Sequence, residues 1–168
     1  VAGLSSDWRL VPAFPSPTMK LALITDIHAN REALEACLEQ AHLHAADRIA
    51  LLGDFVGYGA DPAWVVSRVM DLVAQGAIAV RGNHDDGVVQ GPGPHLVEDA
   101  RRAILWTREQ LAPEQMAFLA GLPYKVEDSG CLFVHANAYA PAAWEYILGR
   151  TEAVRSMPCR SLPSQGKR

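Results

Sequence analysis

The sequence predicts an α/β fold, a largely parallel buried sheet carrying helices. Two observations lead there first. From Lys20 onward, short apolar runs alternate with stretches of helical period, as in βα units. The chain, 168 residues and 18.2 kDa with 49% hydrophobic and 20% charged residues, also has the size and composition of one compact domain. A chain of this length buries roughly 70% of its unfolded surface, enough for one core and not two. The third observation is positional: polar clusters follow the runs that read as strands, where open α/β sheets build their sites.

Taken in order, LALIT at 21–25 reads as the first strand. Asn30 is placed to cap the next helix, in which Ala33, Leu34, Cys37, Leu38 and Ala41 recur at three- and four-residue spacing and predict a buried stripe. IALL at 49–52 is the second strand. After a glycine-rich loop, Asp61 and Pro62 mark an N-cap and a first helical position, and Val65, Val66, Val69, Leu72 and Val73 form an apolar face up to Gly76. AIAV at 77–80 makes a third strand. The polar, glycine-rich stretch 82–94 is expected to be a loop, with helices around 96–110 and 113–120, the second starting near Pro113. YKVE, Ser129-Gly130 and CLFV together signal a hairpin. A last helix is expected from about Ala142, fading past Gly149. Residues 1–18, broken by Pro12, Pro15 and Pro17, are expected to be a loose extension, 19–156 the folded domain, and 157–168 a disordered tail.

Composition removes several function classes. A net charge of -4 and a pI near 5.8 give no global basic field, so bulk nucleic-acid binding is not expected. Cys37, Cys131 and Cys159 are odd in number and in no CxxC pairing, which argues against a disulfide scaffold or a thiolate zinc site and for a reducing compartment. No apolar run approaches the roughly 18 residues that cross a bilayer, so a membrane partner is not expected and the cytoplasm is the expected location.

The chemistry gathers at Asp26-Ile27-His28, Gly53-Asp54, Gly82-Asn83-His84-Asp85 and His135, each just past a strand end. Singly, each would be a capping Asp or a surface His; repeated at successive strand ends, they make a site. Carboxylate, imidazole and carboxamide oxygen without thiolate suit divalent Mn, Fe or Zn, whereas calcium has little use for imidazole. Two ions fit better than one. Asp26 and Asp54 packed together repel unless cations neutralise them, and one carboxylate can bridge two ions about 3.5–4 Å apart.

In this order, Asp-x-His in ITDIHAN, Gly-Asp in LLGDFVGYG, Gly-Asn-His-Asp in VRGNHD and His in LFVHAN make residues 20 to about 148 resemble the calcineurin-like metallophosphoesterases. DIHAN, GYGADP and WEYI resemble the small bacterial branch of that family related to diadenosine tetraphosphatases and Ser/Thr protein phosphatases. The resemblance implies a two-sheet sandwich flanked by helices (αββα). It implies hydrolysis of a phosphomonoester, phosphodiester or nucleotide phosphoanhydride by a hydroxide held between two divalent ions, on a phosphorylated small-molecule or nucleotide substrate. By the same resemblance Asp26 and His28 bind the first ion, Asp54 bridges both, and Asn83 and His135 bind the second. His84 would act at the substrate phosphate, donating a proton to the leaving oxygen or stabilising charge, with Asp85 orienting its imidazole. Asn30 and Arg81, beside motif residues, are candidates for phosphate contact, against plainer readings as helix cap and solvated charge.

The chain departs from that family in its last motif. Gly-His-x-His on a later strand end supplies one ligand to each ion, and no histidine follows His135. Where an apolar strand is due the text reads PCRSLPSQGKR, so a truncated or frame-shifted C-terminus with exposed sheet edges is expected. Two other readings stay open: a catalytically incomplete fragment or pseudo-enzyme that binds metal or phosphate weakly, and a nucleotide-binding module that needs no divalent ion. Gly57-Tyr58-Gly59 is not a dinucleotide fingerprint, since Pro62 stands where the third glycine belongs, and no Walker-type or nucleophile-elbow motif occurs. His42 and His44 read as favourable groups at a helix C-terminus, Trp64, Trp106 and Trp144 as packing residues, and Cys37 and Cys131 as buried, inert thiols.

Overall fold

A computed structural model describes residues 19–92 and 97–157. Strands β1 (Leu21–Ile24), β2 (Arg48–Leu51) and β3 (Ile78–Ala79) form a parallel sheet in the order β1-β2-β3, with Leu21 opposite Arg48 and Ala50 opposite Ile78. Helix α1 (Arg31–Leu43) connects the first pair and α2 (Pro62–Ala74) the second. Because side chains alternate along a strand, the sheet has two apolar faces. Ile24, Leu51 and Ala79 join Leu34, Val65, Val66 and Val69 in the core under the helices. Ala50, Ile78 and Val80 form a second core with Phe133.

Phe133 belongs to the expected hairpin, β4 (Lys125–Asp128) and β5 (Cys131–Val134), which pairs antiparallel with Lys125 opposite Val134. Its turn residues Ser129 and Gly130 have φ of 49° and 78°. Two positive φ values make a primed turn, whose twist matches that of the strands. The hairpin packs on the sheet face opposite the helices, and an Arg48–Asp128 ion pair ties β2 to it. The architecture is therefore the expected α/β sandwich of two small sheets with helices packed on it.

Four corrections to the sequence reading follow. The stretch expected to be a loop after residue 82 contains helix α3 (Asn83–Gln90). Its glycines and aspartates disguise it, yet Asp85 and Asp86 suit the positive end of a helix dipole, the Asp85 carboxylate accepts from the Gly82 N–H at 2.9 Å, and Val88 is buried. Next, α1 buries only Leu34, with Ala33 and Cys37 exposed, because β1 is an edge strand and no described residue packs beyond it. Trp106, on α4 (Glu98–Gln110), is also exposed rather than a packing residue. Finally, no continuous helix runs from Ala142. Pro141–Ala143 form a short 3-10 turn that Trp144 ends in a left-handed conformation, and α6 (Arg150–Ser156) starts only after Gly149.

The expectations for α2 and for the helix at 113–120 are met. Val65, Val66 and Val69 are fully buried, and α5 (Pro113–Gly121) begins at Pro113. Gln115 closes the first turn of α5 by accepting from the Ala112 N–H and reaches α2 by donating to Ala63 O and Ser67 Oγ. Among the described residues no helix is long and apolar enough to cross a membrane. The expected extension 1–18, Cys159 and nearly all of the expected tail lie outside the described residues.

Candidate metal centre

The loops that leave β1 and β2 run side by side and are joined by backbone hydrogen bonds. The N–H groups of Asp26, His28 and Ala29 donate to the carbonyls of Gly53, Asp54 and Phe55 at 3.2, 2.8 and 2.8 Å. This path forces unusual backbone geometry. Of eight non-glycine residues with positive φ among the described residues, five lie here: Asp26, His28, Ala29, Asp54 and Tyr58. Each such conformation costs on the order of 1 kcal/mol, and it persists where surrounding contacts over-determine it, as at functional sites. The third loop fits against the second only through glycine: a Cβ on Gly82 would stand 2.1 Å from Asp54 Oδ1 and 2.3 Å from its backbone nitrogen.

Asp85 locks these loops together. Its buried carboxylate accepts from the N–H groups of Asp54 (2.9 Å), Phe55 (2.8 Å), Val56 (3.2 Å) and Gly82 (2.9 Å). The expectation that Asp85 orients the His84 imidazole is therefore corrected: its oxygens are engaged by backbone of the Asp54 and Gly82 loops. Burial, reinforced by the neighbouring Asp54 charge and opposed by these N–H bonds, pushes the Asp85 carboxyl up to about 7.

Asp54 lies at the centre of the cluster and is itself buried. Its Oδ1 accepts from the His84 backbone N–H at 2.9 Å. Its Oδ2 lies 3.4 Å from His135 Nε2 and 3.9 Å from His28 Nε2, while Asp26 Oδ1 is 3.8 Å from His28 Nε2. Both imidazoles are held in the same sense. His28 Nδ1 faces the Val56 carbonyl at 3.3 Å and His135 Nδ1 the Leu52 carbonyl at 2.7 Å. A carbonyl accepts only, so Nδ1 carries a hydrogen in each ring, and Nε2, the nitrogen free to offer a lone pair whenever the ring is neutral, faces the Asp54 carboxylate. Asn83 Oδ1, another acceptor, stands 3.0 Å from His135 Nε2.

Converging lone pairs and carboxylates repel unless something positive sits among them. A proton does so in part. Burial works against a charged His135, but its hydrogen bond to Asp54 and the charge of Asp54 prevail and raise it to about 9. A divalent cation suits the same donors, because metal-binding histidines commonly present one nitrogen to the ion and the other N–H to a backbone carbonyl. The donor atoms form two groups within 4.8 Å that share Asp54: Asp26, Asp54 and His135, and His28, Asp54 and His84. The His84 ring thus belongs to the cluster, though it stands farther from the Asp54 carboxylate than His135 and His28 do. Burial holds its imidazole below the ordinary range.

The other two expected contacts fare differently. Arg81 is not a solvated charge and has no free face for phosphate. Its guanidinium is buried against Asp86, Tyr124 and the Ala120 carbonyl, and it lies over the Tyr124 ring. Asn30 accepts from the Ala33 N–H at 3.0 Å as a helix cap and also lines a cleft beside the cluster. This cleft, about 610 Å³, opens on the Asp26 and His28 side and not on the His135 side. One aromatic residue at the site, Tyr58, was not placed there by the sequence reading, whereas Trp144 was expected to pack and does. Tyr58 stands against His28 and His84, and Trp144 packs edge-on to His135 with centroids 6.1 Å apart. For Tyr58 the available signal was an aromatic residue between two glycines past a strand end.

Fold and cluster together define an α/β protein whose strand ends carry a mixed imidazole and carboxylate site. The chain belongs to the calcineurin-like phosphoesterase family, which matches residues 19–151. It is 38% identical over 132 residues to uncharacterized protein MJ0912 of Methanocaldococcus jannaschii, a match covering 76% of this chain and 53% of that protein. Among solved structures it is similar to a metallophosphoesterase from Sphaerobacter thermophilus, with 38% identity, a TM-score of 0.65, and coverage of 77% of this chain and 51% of that one. It is also similar to a structure described as "a putative diadenosine tetraphosphatase", with 25% identity, a TM-score of 0.57, and coverage of 74% and 53%. The chain spans about half the length of these relatives.

Proposed function

We propose that the cluster holds two divalent ions and hydrolyses a phosphomonoester, phosphodiester or nucleotide phosphoanhydride. One observation carries this reading: the Nε2 lone pairs of His28 and His135, each fixed by a backbone carbonyl on the opposite nitrogen, converge with Asp26 and Asn83 on buried Asp54. Asp26 and His28 would hold one ion, Asn83 and His135 the other, and Asp54 both. Mn, Fe and Zn all suit these donors. When bound, the pair supplies water activation near neutral pH and neutralises charge on the phosphoryl group.

The chain's own residues prepare that chemistry. Asp85 fixes the Asp54 backbone, and the His84 N–H fixes the Asp54 carboxylate, before any ligand arrives. His84, kept largely neutral by burial, offers a ring N–H to a phosphoryl oxygen or to the leaving oxygen. The related structure described as "a putative diadenosine tetraphosphatase" supports a nucleotide among the candidate substrates. Free Cys37 and Cys131 fit a reducing, cytoplasmic setting.

The test is metal stoichiometry together with hydrolysis of bis-p-nitrophenyl phosphate in added manganese, on this chain and on Asp54→Asn. Two ions per chain and a rate that vanishes in the variant are expected. Ions bound without turnover would favour a catalytically incomplete site. Neither ions nor turnover would overturn the proposal.

A further inference from the structure

Tyr58 has no structural reason to be a tyrosine. It is 77% exposed, so its ring gains little from burial, and it holds φ at 60°, a conformation unfavourable for a bulky residue. Its backbone is clamped on both sides. A Cβ on Gly57 would meet His84 Nδ1 at 2.6 Å, and one on Gly59 would meet the His28 carbonyl at 2.3 Å. The clamp places the ring against the metal cluster, with centroids 4.8 Å from His28 and 4.7 Å from His84, themselves 4.7 Å apart. The ring also borders the open cleft that begins at Asp26 and His28, a volume in the range of small-molecule sites.

We propose that Tyr58 is the specificity-determining residue of this site, stacking on the nucleobase carried by the leaving nucleoside or nucleotide of a substrate whose phosphate lies at the cluster. The inference rests on the phosphoesterase reading and deepens it. A phosphate held between His28 and His84 lies beside the Tyr58 ring, so the group it carries emerges along the exposed aromatic face. Rings stack without regard to base identity, which gives a preference for nucleotides without base-specific contacts. Trp144 does not serve the same purpose, because it is half-buried against Tyr124 and His135.

Adenosine 5′-monophosphate and ribose 5-phosphate differ only in the base, so their affinity ratio isolates the stack. Calorimetric titration of both into the manganese-loaded chain is expected to favour the nucleotide by about tenfold, in the range of base stacking on one aromatic side chain. Tyr58→Phe is expected to keep that ratio, and Tyr58→Ala to bring it close to one. A wild-type ratio near one, or a ratio that survives in Tyr58→Ala, overturns the assignment while leaving the phosphoesterase reading in place. Failure of both ligands to bind in the presence of manganese overturns the two together.

Discussion

Helices α1 and α2 are both 13 residues long and lie on the same face of the same sheet, yet they are packed very differently. α2 buries Pro62, Val65, Val66, Val69 and Leu72 and touches α1, α4 and α5, whereas α1 buries Leu34 alone, above a strand whose outer edge is unpaired among the described residues. The asymmetry continues into the site. The Asp54 side chain, on the well-packed side, is 3% exposed, while that of Asp26, on the α1 side, is 54% exposed. One half of the cluster is set by burial and by the Asp85 lock. The other is set by backbone hydrogen bonds, left-handed residues, the Thr25 hydroxyl donating to Asp26 and the Val56 carbonyl facing His28 Nδ1.

The largest expected effects fall on the firm half. Asp54→Asn removes the carboxylate on which every Nε2 lone pair converges, so ion binding and hydrolysis are both expected to be lost. His84→Gln is expected to keep the ions and lose roughly 100-fold in kcat, the scale of a lost proton-transfer or hydrogen-bonding partner. Ion content and kcat measured on both variants check the division, and equal ion loss in both would erase it. The next largest effect concerns packing between loops. Gly82→Ala must push the Asp54 loop aside, at a cost of about 1–3 kcal/mol and a thermal midpoint lower by about 5 °C. Gly121→Ala, whose added Cβ meets nothing within 4 Å, is expected to be neutral or to stabilise by about 0.5–1 kcal/mol. Comparable losses in the two would mean that the close approach at Gly82 is not a constraint.

That the site's residues would gather was legible in the sequence for both halves of the cluster. Asp26, His28, Asp54, Asn83, His84 and His135 were found because each follows a strand end, and strand ends converge whatever the details of the loops. What stayed hidden depends on contacts between loops. α3 looked like a loop because its first turn, Asn83-His84-Asp85-Asp86-Gly87, is poor in helix formers, and it is held by the Asp85 carboxylate and by Val88. The role of Asp85 was misplaced for the same reason: spacing put it beside His84, while folding brought it to the backbone of Phe55 and Val56. Helical period gave α1 and α2 equal stripes, and only the strand order shows that α1 stands at the edge.

A smaller effect comes from titration. In the metal-free chain Asp54 raises His135 from the usual 6.5 to about 9. The folded chain therefore keeps a proton that the unfolded chain releases between those values. Its stability is full below about pH 6.5 and falls as pH rises through about 9. Asp85, raised from 3.8 to about 7, has the same sign in its own lower window. A divalent ion requires neutral His135, so the stabilisation it confers grows over the same range. Thermal midpoints with chelator and with manganese are expected to diverge from about pH 6.5 to 9, and parallel curves would remove His135 from the ligand set.

The smallest expected change in stability tests the open half directly. Leu23 lies on β1 with 59% of its surface exposed, next to strand backbone that is unpaired among the described residues, which is the arrangement that recruits another strand. Lysine on an edge strand discourages such pairing, so Leu23→Lys is expected to reduce self-association, seen by light scattering, while altering the unfolding free energy by no more than about 0.5 kcal/mol. Leu34→Ala, one turn into α1 and fully buried, is expected to cost about 2–4 kcal/mol. If Leu23→Lys instead costs as much as Leu34→Ala, then Leu23 is buried in solution. The Asp26 half of the cluster would in that case be packed as firmly as the Asp54 half, and the contrast between α1 and α2 would no longer describe the site.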